Sequence, residues 1–185
     1  MRQHFSRCKE ISESLPHLRL LPKALEILRN WSSALCDMSR YTHSMQLANK
    51  LMEFLDDGNP GSRAYLLNIK GLRDFELNYP NSCRRNWEQA LKVCESWARE
   101  GDNPEAREEL ANQLKCSGDL LAAEDEYDKA LDLLRRAEEI RTTLDQAATR
   151  SLGGAICTSM GRAYFLKGDE ASAQKHFDKA MGIYG

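Results

Sequence analysis

Residues 154–184 read GAICTSMGRAYFLKGDEASAQKHFDKAMGIY, and this stretch decides the fold. Small residues stand at Gly161, Ala173 and Ala180, large apolar ones at Met160, Tyr164 and Phe177, and Gly168-Asp169 interrupts the run. Apolar residues recurring every three or four positions on both sides of a glycine-aspartate break make two helices folded against each other. The small side chains let the two backbones approach, and the aromatic ones fill the space between neighbouring hairpins.

Two earlier stretches carry the same pattern. From Arg63 it runs through Leu67, Gly71, Cys83, Trp87 and Ala90, interrupted by Lys70, Asp74 and Asn78, with Pro80-Asn81-Ser82 as the expected turn and N-cap. From Pro104 it runs through Leu110, Ala111, Leu114, Gly118, Ala123, Tyr127 and Ala130, and Gly118-Asp119 repeats the Gly168-Asp169 pair. In both pairs the glycine is expected to stop one helix in the left-handed conformation and the aspartate to cap the next. Ala90, Ala130 and Ala180 then anchor three units, 40 and 50 residues apart. Such spacing predicts long second helices, with 119–144 helical throughout and Asp125–Lys129 and Asp132–Arg136 as supporting pairs four residues apart.

Counted from Gly154, the last unit resembles the tetratricopeptide repeat (TPR): Met160, Gly161, Tyr164, Gly168, Ala173, Phe177 and Ala180 fall at the seventh, eighth, eleventh, fifteenth, twentieth, twenty-fourth and twenty-seventh positions. Cys157 and Glu170 depart from the family's preferences. The long units, and the phrase Ala137-Glu138-Glu139-Ile140-Arg141, look like the extended repeats of kinesin light chains and of arrays attached to fungal NTPase-type receptors. The resemblance implies an all-α, right-handed helical solenoid of antiparallel helix pairs whose first helices line a concave groove. Carried over unit by unit, the groove positions are Tyr65, Asn68, Leu72, Phe75 and Glu76; then Glu105, Glu108, Asn112, Lys115 and Cys116; then Ala155, Thr158, Arg162, Phe165 and Leu166. Asn68 and Asn112 offer both donor and acceptor to the backbone of an extended peptide. The lysine clamp that some relatives use for chaperone C-termini is missing, because Glu108 stands where it would want lysine. The function implied is a non-catalytic scaffold or adaptor binding protein or peptide. The alternatives are an oligomerisation or structural module and an enzyme with a groove-lined substrate pocket.

Ahead of the array, apolar residues at helical spacing predict helices over 2–15, 21–40 and 44–55, with Pro16 ending the first and Pro22 in the first turn of the second. The turn-forming run Gly58-Asn59-Pro60-Gly61 marks a boundary, giving a helical N-terminal section (1–60, a degenerate repeat) and an array of three long TPR units (61–185). The whole chain is thus expected to hold about nine helices. Because arrays normally close on a polar cap, Phe165, Phe177, Met181 and Tyr184 are expected to leave an apolar C-terminal edge, the chain being either one piece of a longer protein or a subunit that self-associates through this end.

Composition agrees and excludes other classes. The 185 residues are 42% hydrophobic and 29% charged with five prolines, ordinary for a globular helical chain. No apolar run reaches the roughly 18 residues of a membrane helix, and the N-terminus lacks a continuous secretion-signal segment. A cytoplasmic location and no membrane partner are expected. Six cysteines, Cys8, Cys36, Cys83, Cys94, Cys116 and Cys157, form no C-x-x-C pair and read as small buried hydrophobes. Net charge is −2, with nine acidic residues between Glu105 and Asp132 against Arg107, Lys115 and Lys129, which disfavours nucleic acid. That acidic stretch reads as a solvated face or as a docking face for a basic partner. His4, His17, His43 and His176 are scattered, and no phosphate-loop or nucleophile motif occurs, so no catalytic residue, metal or cofactor is expected.

Overall fold

The computed structural model describes residues 60–185, together with His43 and Gln46. The helices expected within 1–55 lie outside the described residues. Among the described residues there are six helices rather than nine: α1 (Pro60–Glu76), α2 (Pro80–Arg99), α3 (Pro104–Ala123), α4 (Tyr127–Thr142), α5 (Arg150–Lys167) and α6 (Glu170–Tyr184). They pair as α1/α2, α3/α4 and α5/α6, and successive pairs stack through α2 with α3 and α4 with α5. The fold is all-α and repetitive.

The three pairs are copies of one backbone pattern. Asn78, Asp125 and Gly168 each take a positive φ, of 59°, 62° and 88°, just past the first helix. The amide after each reaches back over the turn: Tyr79 N to Asp74 O at 2.7 Å, Glu126 N to Leu121 O at 2.9 Å and Asp169 N to Tyr164 O at 2.9 Å. This is the hydrogen bond of a left-handed helix terminus, where glycine is unstrained and Asn or Asp is tolerated. The second helices follow at once, at Pro80, Tyr127 and Glu170.

This pattern corrects the register of the middle unit. Gly118 does not end a helix; it lies inside α3, where a β-carbon would stand 2.9 Å from Leu134 Cγ on α4. Gly71 meets Trp87, and Gly161 meets Phe177, at the same spacing. The equivalent glycines are therefore Gly71, Gly118 and Gly161, and the matching alanines are Ala90, Ala137 and Ala180, 47 and 43 residues apart. Residues 119–123 belong to the first helix of their unit, and 119–144 is not one helix. The expected Asp125–Lys129 and Asp132–Arg136 pairs are replaced by Glu126–Lys129 and Asp132–Arg135, while Arg136 reaches Glu95 at 3.1 Å.

Local signals elsewhere were half-read by the sequence. Pro60 and Gly61 start α1 instead of forming a turn, and Gly61 leaves room for the ring of Trp97. Pro80 is the first residue of α2, and Ser82 donates to Asp74 Oδ2 at 2.5 Å instead of capping. Asn103 does cap α3, accepting from the Glu105 and Ala106 amides at 3.0 and 3.3 Å. Gly153 and Gly154 lie buried within α5, against Arg141 and Tyr184.

The main core joins all three pairs through residues such as Leu110, Leu114, Leu131, Leu134, Ile156 and Met160, with Cys94 and Ala64 at its near end. Cys83, Trp87 and Leu120 form a second cluster with Phe75 and Cys116 at its side. At the joint between the second and third pairs, Arg141 is buried. It donates to Glu138 at 2.7 and 2.9 Å and to Gln146 at 2.6 Å, while Lys179 of α6 donates to Glu138 at 3.0 Å. Two helices and a connection are tied at one carboxylate.

Candidate functional site

With the corrected register, equivalent side chains on the three first helices form rows: Tyr65, Asn112 and Ala155; Asn68, Lys115 and Thr158; Leu72, Asp119 and Arg162; Phe75, Ala122 and Phe165. The first two rows are half-buried in all three units, as expected of positions lining one concave face. Asn112 and Lys115 stay on this face, but level with Tyr65 and Asn68 instead of Leu72 and Phe75. Glu108 falls level with Gly61 and Ser151, ahead of the rows, and is exposed together with Glu105. The repeated Gly-Asp dipeptide had displaced the middle unit by one pair of turns; Asp119 was missed for the same reason. The constant step of 16 residues from Gly71 to Trp87, from Gly118 to Leu134 and from Gly161 to Phe177 was the signal available to place it.

Contacts run across the units at the middle rows. The Asn68 side chain acts across the unit boundary on Cys116, slightly opposing the rise of its thiol pKa, while Asn68 Oδ1 is buried without a partner. The backbone carbonyl of Asn68 accepts from Trp87 Nε1 at 3.2 Å, which fixes this asparagine from behind. Lys115 pairs with Asp119 at 2.9 Å. Burial alone would lower the Lys115 ammonium pKa, but Cys116 and Asp119 outweigh it and hold the value above the ordinary 10.5, against the opposing charge of Arg162. Lys115 is therefore charged and neutralised in place. Arg162 is exposed and makes no ion pair or hydrogen bond among the described residues.

The other sequence-chosen residues have settled roles. Phe75 packs on Trp87 with ring centroids 5.7 Å apart and belongs to the second core cluster. Thr158 donates to Gly154 O at 2.9 Å, within its own helix. Leu72 is exposed at the rim, and Phe165 is exposed at the far edge. Five of the nine acidic residues between Glu105 and Asp132 are ion-paired: Asp119 with Lys115, Glu124 with Arg84, Glu126 with Lys129, Asp128 with Lys167 and Asp132 with Arg135. Most of that charge is used inside the fold.

The four cysteine thiols among the described residues are all raised above their ordinary pKa. Burial, above all, pushes the Cys83 and Cys94 thiols up to about 12 and the Cys116 thiol up to about 11, and it raises Cys157 as well. A thiol so raised carries almost no thiolate near neutral pH. His176 stacks on Tyr164 at 5.3 Å, and burial lowers its pKa, which favours a neutral ring. Among the described residues no group of three His, Cys, Asp or Glu is placed to hold a metal, and no helix is long and apolar enough to cross a membrane.

No protein-family model matches the chain, and no curated protein matches it by sequence. A solved structure does. The crystal structure of BtubC (BKLC) from P. vanneervenii superposes with a TM-score of 0.74 over 99% of this chain and 72% of that one, at 17% sequence identity. At that identity the likeness shows the fold: a TPR-like helical repeat.

Proposed function

We propose that this chain is a non-catalytic protein-interaction scaffold or adaptor that receives an extended peptide segment on the face lined by its first helices. The observation that carries the reading is the diagonal from Asn68 and Lys115 in one row to Asp119 and Arg162 in the next. It crosses three units and holds one amide oxygen with no partner inside the fold, which a turn of the half-buried Asn68 side chain would present to a ligand, and one unpaired guanidinium. An amide oxygen can accept from a peptide N–H, and a free guanidinium can grip a carboxylate through two parallel hydrogen bonds. The neutral Lys115–Asp119 pair between them suits a segment of mixed charge. The TPR-like fold supports this role; a cytoplasmic setting and kinship with long-repeat kinesin-light-chain-like arrays are part of the proposal, and nucleic acid and membrane are not among the proposed partners.

The test begins with affinity capture from the native cell and continues with calorimetric titration of the captured partner. Asn112→Ala should weaken binding by about 1 kcal/mol, the worth of one good hydrogen bond. Arg162→Glu should weaken it more, because an attraction becomes a repulsion. If the double variant binds the partner unchanged, the groove reading is wrong. The competing classes separate cleanly: an oligomerisation module would sediment as a larger species with rising concentration, and an enzyme would turn over a small substrate.

A further inference from the structure

Two positions recur in each helix pair, three residues after the close-packed glycine and one residue before its large partner. They hold Asp74 and Asn86 in the first pair, Leu121 and Leu133 in the second, and Tyr164 and His176 in the third. Asn86 donates to Asp74 Oδ2 at 2.9 Å, and Leu121 and Leu133 both pack on the main core. In the third pair the two rings stack, with centroids 5.3 Å and planes 14° apart. Of the three pairs, only this one places at these positions a group whose ordinary pKa, 6.5, lies near neutrality.

The surroundings of His176 suit an uncharged ring. The side chain is half-buried, and its Nδ1 is buried with no hydrogen-bond partner. A neutral imidazole tolerates this with its proton on Nε2, leaving Nδ1 a bare acceptor; a second proton would create a buried N–H that faces no acceptor. The charged neighbours come from both sides. Helix α4 brings Glu138 and Arg135, the latter reaching Tyr164 Oη at 3.4 Å, and α6 brings Lys175 and Lys179. Glu138 is the one carboxylate among them, and Arg141 and Lys179 already bind it. The Tyr164 ring of α5 would offer an imidazolium a cation–π attraction. Burial first, then Lys179, Lys175 and Arg135, outweigh these and hold the ring's pKa below 6.5.

We infer that His176 is a proton-operated latch: stacked on Tyr164 it holds α6 against α5, and on acquiring a proton it releases α6, loosening the third pair while the first two stay closed. The inference does not depend on what the groove binds. A ring free of the fold takes up its proton near pH 6.5, and the stacked ring only at lower pH. The latch therefore contributes fully above pH 6.5 and is lost as pH falls below it. The opening constant rises by up to about tenfold per pH unit while only the open state is protonated. Glu138, held below 4.5, stays ionised in the upper part of this range and does not contribute there.

Amide hydrogen exchange of the full chain, corrected for the intrinsic pH dependence of exchange, would be followed from about pH 7.5 to about pH 5. Protection in 150–184 is expected to fall below pH 6.5 by up to about tenfold per pH unit, while that of α1 to α3 holds. His176→Phe keeps a ring against Tyr164 without a titrating nitrogen and should abolish the fall. The His176 imidazole titration, read by NMR on the unsubstituted chain, should have its midpoint below 6.5, and this readout needs no variant to fold. Flat protection across the range, a loss spread evenly over all six helices, an equal fall in His176→Phe, or a midpoint at or above 6.5 overturns the inference.

Discussion

Gly118 of α3 rests against Leu134 of α4, so closely that a β-carbon on the glycine would stand 2.9 Å from Leu134 Cγ and 3.2 Å from the carbonyl oxygen of Ala130. The same relationship holds between Gly71 and Trp87 and between Gly161 and Phe177, and it sets how near the two helices of each unit approach. Glycine here serves packing, not conformation. Gly118→Ala and Gly161→Ala should each cost about 1–3 kcal/mol through overpacking. Gly182→Ala, in open space on α6, should instead stabilise by about 0.5–1 kcal/mol, the helix-propensity difference. Urea denaturation of the three variants checks both signs.

The left-handed residues give a second contrast. Gly168 at φ 88° has nothing within 4 Å of where a β-carbon would stand, so Gly168→Ala tests backbone strain alone and should cost about 1 kcal/mol. Asn78→Gly, at φ 59°, should stabilise the fold by a smaller amount. Thermal melts of both proteins would decide; equal and opposite shifts are not required, only opposite signs.

Glu138 predicts an acid-sensitive joint. Burial would raise its pKa, yet hydrogen bonds and charge from Arg141 and Lys179 outweigh that and hold it below the ordinary 4.5. A carboxylate depressed in the folded state contributes stability that is complete above its unfolded value and is lost as pH falls through the folded one. Stability should therefore drop as pH goes below about 4.5, and Glu138→Gln should flatten that part of the profile. At pH 7, Glu138→Gln leaves the Arg141 guanidinium buried beside a neutral group and should cost about 3 kcal/mol. Denaturation midpoints between pH 3 and pH 7 supply the comparison.

Ala180 is buried on the inner side of α6, and Ala180→Trp should cost about 1–3 kcal/mol by forcing α5 and α6 apart. Loss should appear first as faster amide exchange in 150–185, since the first two pairs do not contain the substituted contact. Uniform acceleration along the chain would contradict the expectation.

The first and third units were legible in the sequence because Gly71 with Trp87 and Gly161 with Phe177 pair a small residue with a large one at one fixed spacing. The middle unit was misplaced for a physical reason. A Gly-Asp pair can end a helix, as Gly168-Asp169 does, or can lie inside one where a partner helix presses close, as Gly118-Asp119 does, and local composition does not distinguish the two. Its true terminus uses Asp125, an ordinary L-residue in the left-handed region, whose carboxylate Oδ1 accepts from Tyr127 Oη at 2.6 Å. The candidate groove inherited that error: Asn112 and Lys115 kept their face while Glu108 left it and Asp119 entered. The Lys115–Asp119 pair joins residues four apart on one helix, but only the corrected register puts both in the groove.

The hydrogen bond from Trp87 Nε1 to the Asn68 carbonyl places an indole directly behind the residue offered to a ligand. Indole emission depends on the polarity and bonding around its N–H, so the chain carries a built-in optical sensor one residue removed from its own proposed contact surface. With Trp31 and Trp97 replaced by phenylalanine, the remaining emission would report on that surface without any attached dye, and a segment drawing on Asn68 would be visible as a colour change in the protein's own light.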